Sequence, residues 1–209
     1  MIYQISEGRF IFLYGGEDIE WIRKFMNTVR DVARASSLAL EMVYVGKSNP
    51  KERVWRNMAT INAEKLSYCL PNLTAVWYFW IRIESMWHSK HQLGKADEND
   101  PITQEILTLL SYDGSEGGWA LLSKGSTELT RAKGSAFLTC LSNYNMWAED
   151  VQTKGLILAI NDYFLQHPAP HHCNRLVLPG TASRIPERVV CSECGRTRER
   201  YILYQCCDE

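Results

Sequence analysis

Apolar residues occur along the chain in two patterns, short continuous runs and repeats of three or four residues. Residues 9–14 (RFIFLY) form an aromatic-rich run that ends at Gly15 and Gly16, which predicts a buried strand closed by a turn. From Asp18 to Ala33 the apolar side chains recur at helical spacing, and residues 40–45 (LEMVYV) predict a second strand. This order is a βαβ unit, which favours a parallel strand pair and an α/β body.

The central part of the chain mixes helical and strand patterns. Residues 76–83 (VWYFWIRI) are dense in aromatic and β-branched types and predict a third strand, with a helix continuing through Trp87 as the alternative. The side chains of Trp77, Tyr78 and Trp80 are accordingly predicted to lie mainly in the core, with the alternative that some of them face a partner. A further strand is predicted over residues 119–123, and further helices over residues 51–69, 102–111, 126–144 and 146–164. The pair Asp100-Pro101 predicts the start of the helix over residues 102–111.

Two prolines close the last helical pattern. Residues 167–170 (HPAP) interrupt the helical periodicity and mark a linker. The sequence therefore predicts an α/β body over residues 1–166 and a small separate module over residues 167–209.

Charge and hydropathy narrow the range of partners. The formal net charge is −1, and the tail over residues 171–209 carries only about +1, so no nucleic-acid partner is expected. The first ten residues do not resemble a signal peptide, and no apolar run approaches the roughly 18 residues that span a bilayer. We therefore predict a cytoplasmic protein without a membrane partner.

Five of the seven cysteines fall within the last 37 residues, where a two-residue spacing followed by glycine (CSECG) is typical of a zinc knuckle. Tetrahedral zinc takes four thiolate or imidazole ligands, and four protein ligands leave no position for a reactive water. We predict a structural zinc site in a zinc-ribbon-like module, with His172 and Cys207 as substitute ligands. The four predicted ligands are Cys173, Cys191, Cys194 and Cys206.

Other chemistries compete for the same residues. Cys191 and Cys194 could instead be unligated buried thiols or a redox pair, but a redox pair needs its first cysteine at a helix N-terminus.

The turn at residues 14–18 is not a phosphate loop, since its two carboxylates would cap the helix themselves. Residues 97–100 (DEND) are the densest oxygen cluster, yet they lack the pattern of a calcium loop, so a calcium response stays undecided.

Several motifs together make the chain similar to the C-terminal domain of sieve element occlusion proteins, which include the forisome subunits of legumes. The motifs lie at residues 13–18 (LYGGED), 41–50 (EMVYVGKSNP), 82–89 (RIESMWHS), 98–101 (ENDP), 118–119 (GW), 137–140 (FLTC) and through the tail from residue 171 to residue 207.

The resemblance implies a non-enzymatic structural protein in the cytoplasm of phloem sieve elements. Its expected partners are other sieve element occlusion subunits, with which it would form filaments that serve phloem development and wound occlusion. For the α/β body we predict a three-layer, mostly parallel sheet, thioredoxin-like or related. The alternatives are a thioredoxin-like thiol-disulfide oxidoreductase and a zinc-dependent nucleic-acid binder.

Overall fold

The computed structural model describes residues 9–94, 100–113, 117–125 and 128–168, together with the backbone of residues 188–190 and 197–199. Two compact units contain these residues, one formed by Met1–Arg82 and Ser115–Pro170, the other by Ile83–Gly114 and His171–Glu209. The strands are β1 (Phe10–Gly15), β2 (Leu40–Tyr44), β3 (Tyr68–Cys69), β4 (Trp119–Lys124), β5 (Glu128–Lys133), β6 (Arg188–Val190) and β7 (Thr197–Glu199). The α-helices are α1 (Ile19–Ser36), α2 (Glu52–Ala63), α3 (Leu73–Gln92), α4 (Pro101–Asp113), α5 (Gly134–Ser142), α6 (Ala148–Lys154) and α7 (Leu156–Gln166).

The first unit is built on a five-stranded sheet in the order β3-β2-β1-β4-β5. Strands β1, β2 and β3 run parallel, which confirms the predicted βαβ unit, whereas β4 is antiparallel to both β1 and β5. The α/β class is therefore confirmed, and the sheet is mixed and not wholly parallel, because β4 runs against its two neighbours. Strands β4 and β5 form a hairpin, which needs no helical crossover, and therefore pair antiparallel.

Helices pack on both faces of this sheet. Phe12 of β1 contacts Phe25 of α1 and Phe137 of α5, with ring centroids 5.8 and 5.3 Å apart. On the other face Trp119 of β4 meets Trp80 of α3 edge to face at 5.8 Å. Because β4 is paired so that Leu122 lies opposite Phe12, the alternation of side chains puts Trp119 on the face away from Phe12. Helix, sheet and helix thus form three layers.

Helix α3 replaces the third strand that the aromatic run predicts. Its first turn is capped by Asn72, whose Oδ1 accepts a hydrogen bond of 2.8 Å from the backbone N–H of Ala75. Val76 and Trp80, four residues apart, are both fully buried. The alternative of a helix continuing through Trp87 is therefore confirmed, and the strand over residues 76–83 is wrong.

Strand β5 lies where a helix over residues 126–144 is predicted. Gly125 has a φ of +61°, and Lys124 pairs with Glu128, so the chain reverses into a hairpin before helix α5 begins at Gly134. The helix predicted over residues 146–164 is also divided, since Gly155 with a φ of +88° separates α6 from α7. The helix predicted to reach residue 69 ends at Ala63, and β3 follows as an edge strand.

The second unit contains the C-terminal part of α3, helix α4 and strands β6 and β7. Helix α4 begins at Pro101, as the Asp100-Pro101 pair predicts. Strands β6 and β7 pair antiparallel, with Val190 opposite Thr197. Within the part of the chain that the structure describes, no helix combines the length and apolarity needed to span a bilayer. The domain boundary at residue 167 stays a prediction, because residues 169–187 lie outside the described ranges.

Candidate functional site

The carboxyl end of β1 is where open α/β sheets usually bind ligands, in the turn before the first helix. Here the Asp18 side chain accepts a hydrogen bond of 2.9 Å from the backbone N–H of Glu20, which confirms that a carboxylate from this turn caps the helix. The Tyr44 hydroxyl donates to the carbonyl oxygen of Gly16 at 2.7 Å, and the Asn57 amide donates to that of Glu17 at 3.0 Å. The Asp18 carboxylate and the carbonyl oxygens of Gly16 and Glu17 are thus used to hold the turn and the start of α1.

Glycines and two tryptophans pack together beside this turn and form what we call the Gly–Trp cluster. Its members are Gly15, Gly16, Trp21, Gly118, Trp119 and Gly134. A methyl group on Gly118 would lie 2.3 Å from the Trp21 ring, and one on Gly15 would lie 2.6 Å from Nε1 of Trp119. One on Gly134 would lie 2.6 Å from the carbonyl oxygen of Gly118. These distances are far below a normal contact of about 3.5–4.0 Å, so only glycine fits.

The Trp21 ring is held from several directions. It is stacked on Phe25, with ring centroids 5.0 Å apart and planes 13° apart, while Gly118 and Gly134 approach its edge. Two segments of the resemblance, residues 13–18 and residues 118–119, therefore meet around one indole. In the described residues, these two motifs therefore pack against each other at the end of β1.

The two cysteines of the first unit are poor nucleophiles. Burial raises the pKa of the Cys69 thiol to about 11 and that of the Cys140 thiol to about 12. Both thiols are therefore protonated at neutral pH, whereas thiol-disulfide exchange needs a thiolate. Neither cysteine lies at the N-terminus of α1, which begins with Ile19 behind the Asp18 cap.

All predicted zinc ligands and their substitutes lie outside the described residues, so Cys173, Cys191, Cys194, Cys206, His172 and Cys207 stay predictions. Strands β6 and β7, which come directly before and after residues 191–196 in the chain, pair with each other. Cys191 and Cys194 belong to that connecting segment. In the ranges with described side chains, no three His, Cys, Asp or Glu residues are grouped closely enough to bind a metal ion.

Asp100 is the one described member of the acidic cluster at residues 97–100. Its carboxylate pairs with Lys90 and accepts hydrogen bonds from Thr103, at 2.9 Å from the backbone N–H and 2.7 Å from the hydroxyl. Lys90 first, and Thr103 next, lower the pKa of Asp100 to about 2. This carboxylate is therefore a helix cap in an ion pair, and nothing in its contacts indicates a calcium ligand.

Helix α3 exposes two large aromatic side chains. Trp77 is 44% exposed and Tyr78 is 55% exposed, and their ring centroids lie 5.1 Å apart. The prediction that the aromatic run lies in the core is confirmed for Trp80 and is wrong for these two residues. The helical alternative contained the signal, since a spacing of 3.6 residues turns positions 77 and 78 away from the face that holds Val76 and Trp80.

A family model described as "Sieve element occlusion C-terminus" matches residues 1–208 of the chain. The chain is 46% identical to Protein SIEVE ELEMENT OCCLUSION A of Arabidopsis thaliana over 217 aligned positions, which cover 99% of the chain and 26% of that protein. It is 40% identical to Protein SIEVE ELEMENT OCCLUSION B of the same plant, covering 98% of the chain and 28% of that protein. The chain thus spans about a quarter of the length of these curated relatives. No solved structure gives a significant match.

Proposed function

Because the chain belongs to the sieve element occlusion family, we propose that it is a non-enzymatic structural subunit in the cytoplasm of phloem sieve elements. In this proposal it assembles with like subunits into filaments that contribute to phloem development and to wound occlusion. The carrying observation is that the Gly–Trp cluster packs the end of β1 and the turn after it, while Trp77 and Tyr78 of α3 lie exposed. That distribution suits a protein that recognises other proteins.

The finer fold proposed for the first unit is thioredoxin-like. Strands β1 and β2 with helix α1 between them form a parallel unit, and the antiparallel β4–β5 hairpin pairs with β1 on the side opposite β2. Helix α5 packs on the same face of the sheet as α1, where Phe137 contacts Phe25. An oxidoreductase on such a body would place a cysteine at the start of α1, where the helix dipole stabilises a thiolate. Asp18, Ile19 and Glu20 occupy that place. The topology therefore supports a scaffold without the thiol chemistry of the alternative function.

We propose further that the tail is stabilised by one zinc ion bound by Cys173, Cys191, Cys194 and Cys206, with His172 and Cys207 as substitutes. The support is the β6–β7 pair, since a zinc knuckle carries its closely spaced cysteines between two paired strands. A module of this size buries little apolar surface, so the metal would contribute to its folding. Four protein ligands would leave the zinc without a catalytic position.

Assembly is tested on the purified chain under reducing conditions by sedimentation velocity and negative-stain electron microscopy. The expected result is concentration-dependent association into higher oligomers, without reduction of insulin disulfides and without salt-dependent retention on heparin. A chain that stays monomeric and reduces insulin would replace this proposal by the oxidoreductase alternative.

Zinc is tested by elemental analysis of the same preparation, where about one zinc per chain is expected from a four-ligand site. Cys194→Ser should lose the metal, and Cys69→Ser is the matched control, because Cys69 belongs to β3 and is predicted to bind nothing. Retention of zinc in the Cys194 variant, or its absence from the unmodified chain, would remove the proposed site.

A further inference from the structure

We draw no further inference here: the strongest candidate, the outer face of helix α3 around the exposed Trp77 and Tyr78, carries none because nothing in the part of the chain that the structure describes shows what covers it.

Discussion

Replacing Gly118 by alanine should destabilise the first unit by about 2 kcal/mol, within the range of roughly 1–3 kcal/mol measured for overpacked cores. The new methyl carbon would lie 2.3, 2.4 and 2.5 Å from three carbon atoms of the Trp21 ring. Carbon atoms in contact are normally about 3.5–4.0 Å apart, so the ring must move by more than 1 Å. Phe25, stacked at 5.0 Å, and Gly134 restrict that movement.

The adjacent residue supplies a matched control. A methyl group on Gly117 would meet no atom within 4 Å, and its φ is outside the left-handed region. Alanine at such a position reduces the freedom of the unfolded chain and should stabilise the protein by about 0.4–1 kcal/mol. The two variants should therefore differ by roughly 2–3 kcal/mol, or about 4–12 °C in Tm for a chain of this size.

Equilibrium urea unfolding and thermal scans of both variants measure this difference. A double-mutant cycle identifies its origin, because the cost of Gly118→Ala should largely disappear when Trp21→Leu removes the ring. A difference below about 0.5 kcal/mol between the two alanine variants, the usual scale of neutral surface changes, would refute the packing argument. A cost of Gly118→Ala that persists in the Trp21→Leu background would show that Gly118 is required by its backbone conformation instead.

Three further predictions concern single side chains. Asn72→Ala removes the cap of α3 and should lower the free energy of unfolding, measured by urea titration, by about 1 kcal/mol. Asn72→Asp keeps a capping side chain and should retain most of this free energy, and equal urea midpoints for Asn72→Ala and the unmodified chain would contradict the cap. Lys90, followed by Thr103, lowers the pKa of Asp100 from 3.8 to about 2, so the stability that this carboxylate adds is present above about pH 4 and is lost as the pH falls towards 2. Asp100→Asn should therefore lose less stability over this interval, and an unchanged slope of stability against pH would contradict this prediction. Because burial raises the pKa of both thiols, Cys69 and Cys140 should resist iodoacetamide at pH 8 in the folded protein and react after denaturation. Peptide mass spectrometry measures the labelling, and rapid labelling of either cysteine in the folded protein would contradict this prediction.

The Gly–Trp cluster shows that short motifs which identify a family can be required by packing. Gly16 and Gly118 are separated by about a hundred residues, yet a methyl group on Gly16 would lie 3.0 Å from the Cα of Gly118. Both glycines are required because strand β4 returns beside β1 and Trp21 fills the space at their ends. Glycine at such positions reflects close approach of backbones, and the same residue type in a phosphate loop reflects a ligand.

Local patterns determined the first βαβ unit, because β1, α1 and β2 each follow from an uninterrupted periodicity and from turn or cap residues beside it. Asp18 could be assigned to a cap from its place before an amphipathic helix, and Asp100-Pro101 marked the start of α4 in the same way. The family could likewise be identified from the sequence, because its motifs are short continuous segments. The candidate zinc residues also follow from spacing alone, and they await a test in the tail.

Tertiary structure decided the direction of β4 and β5, since a strand's partner lies elsewhere in the chain and its own residues do not specify which side it pairs with. It also decided that Trp80 is buried while Trp77 and Tyr78 lie exposed, because an apolar run has the same composition whether it forms a strand or a helix. The Gly–Trp cluster could be recognised only once β1 and β4 were adjacent. Contacts between distant segments are set by the packing of the whole body, and no local spacing encodes them.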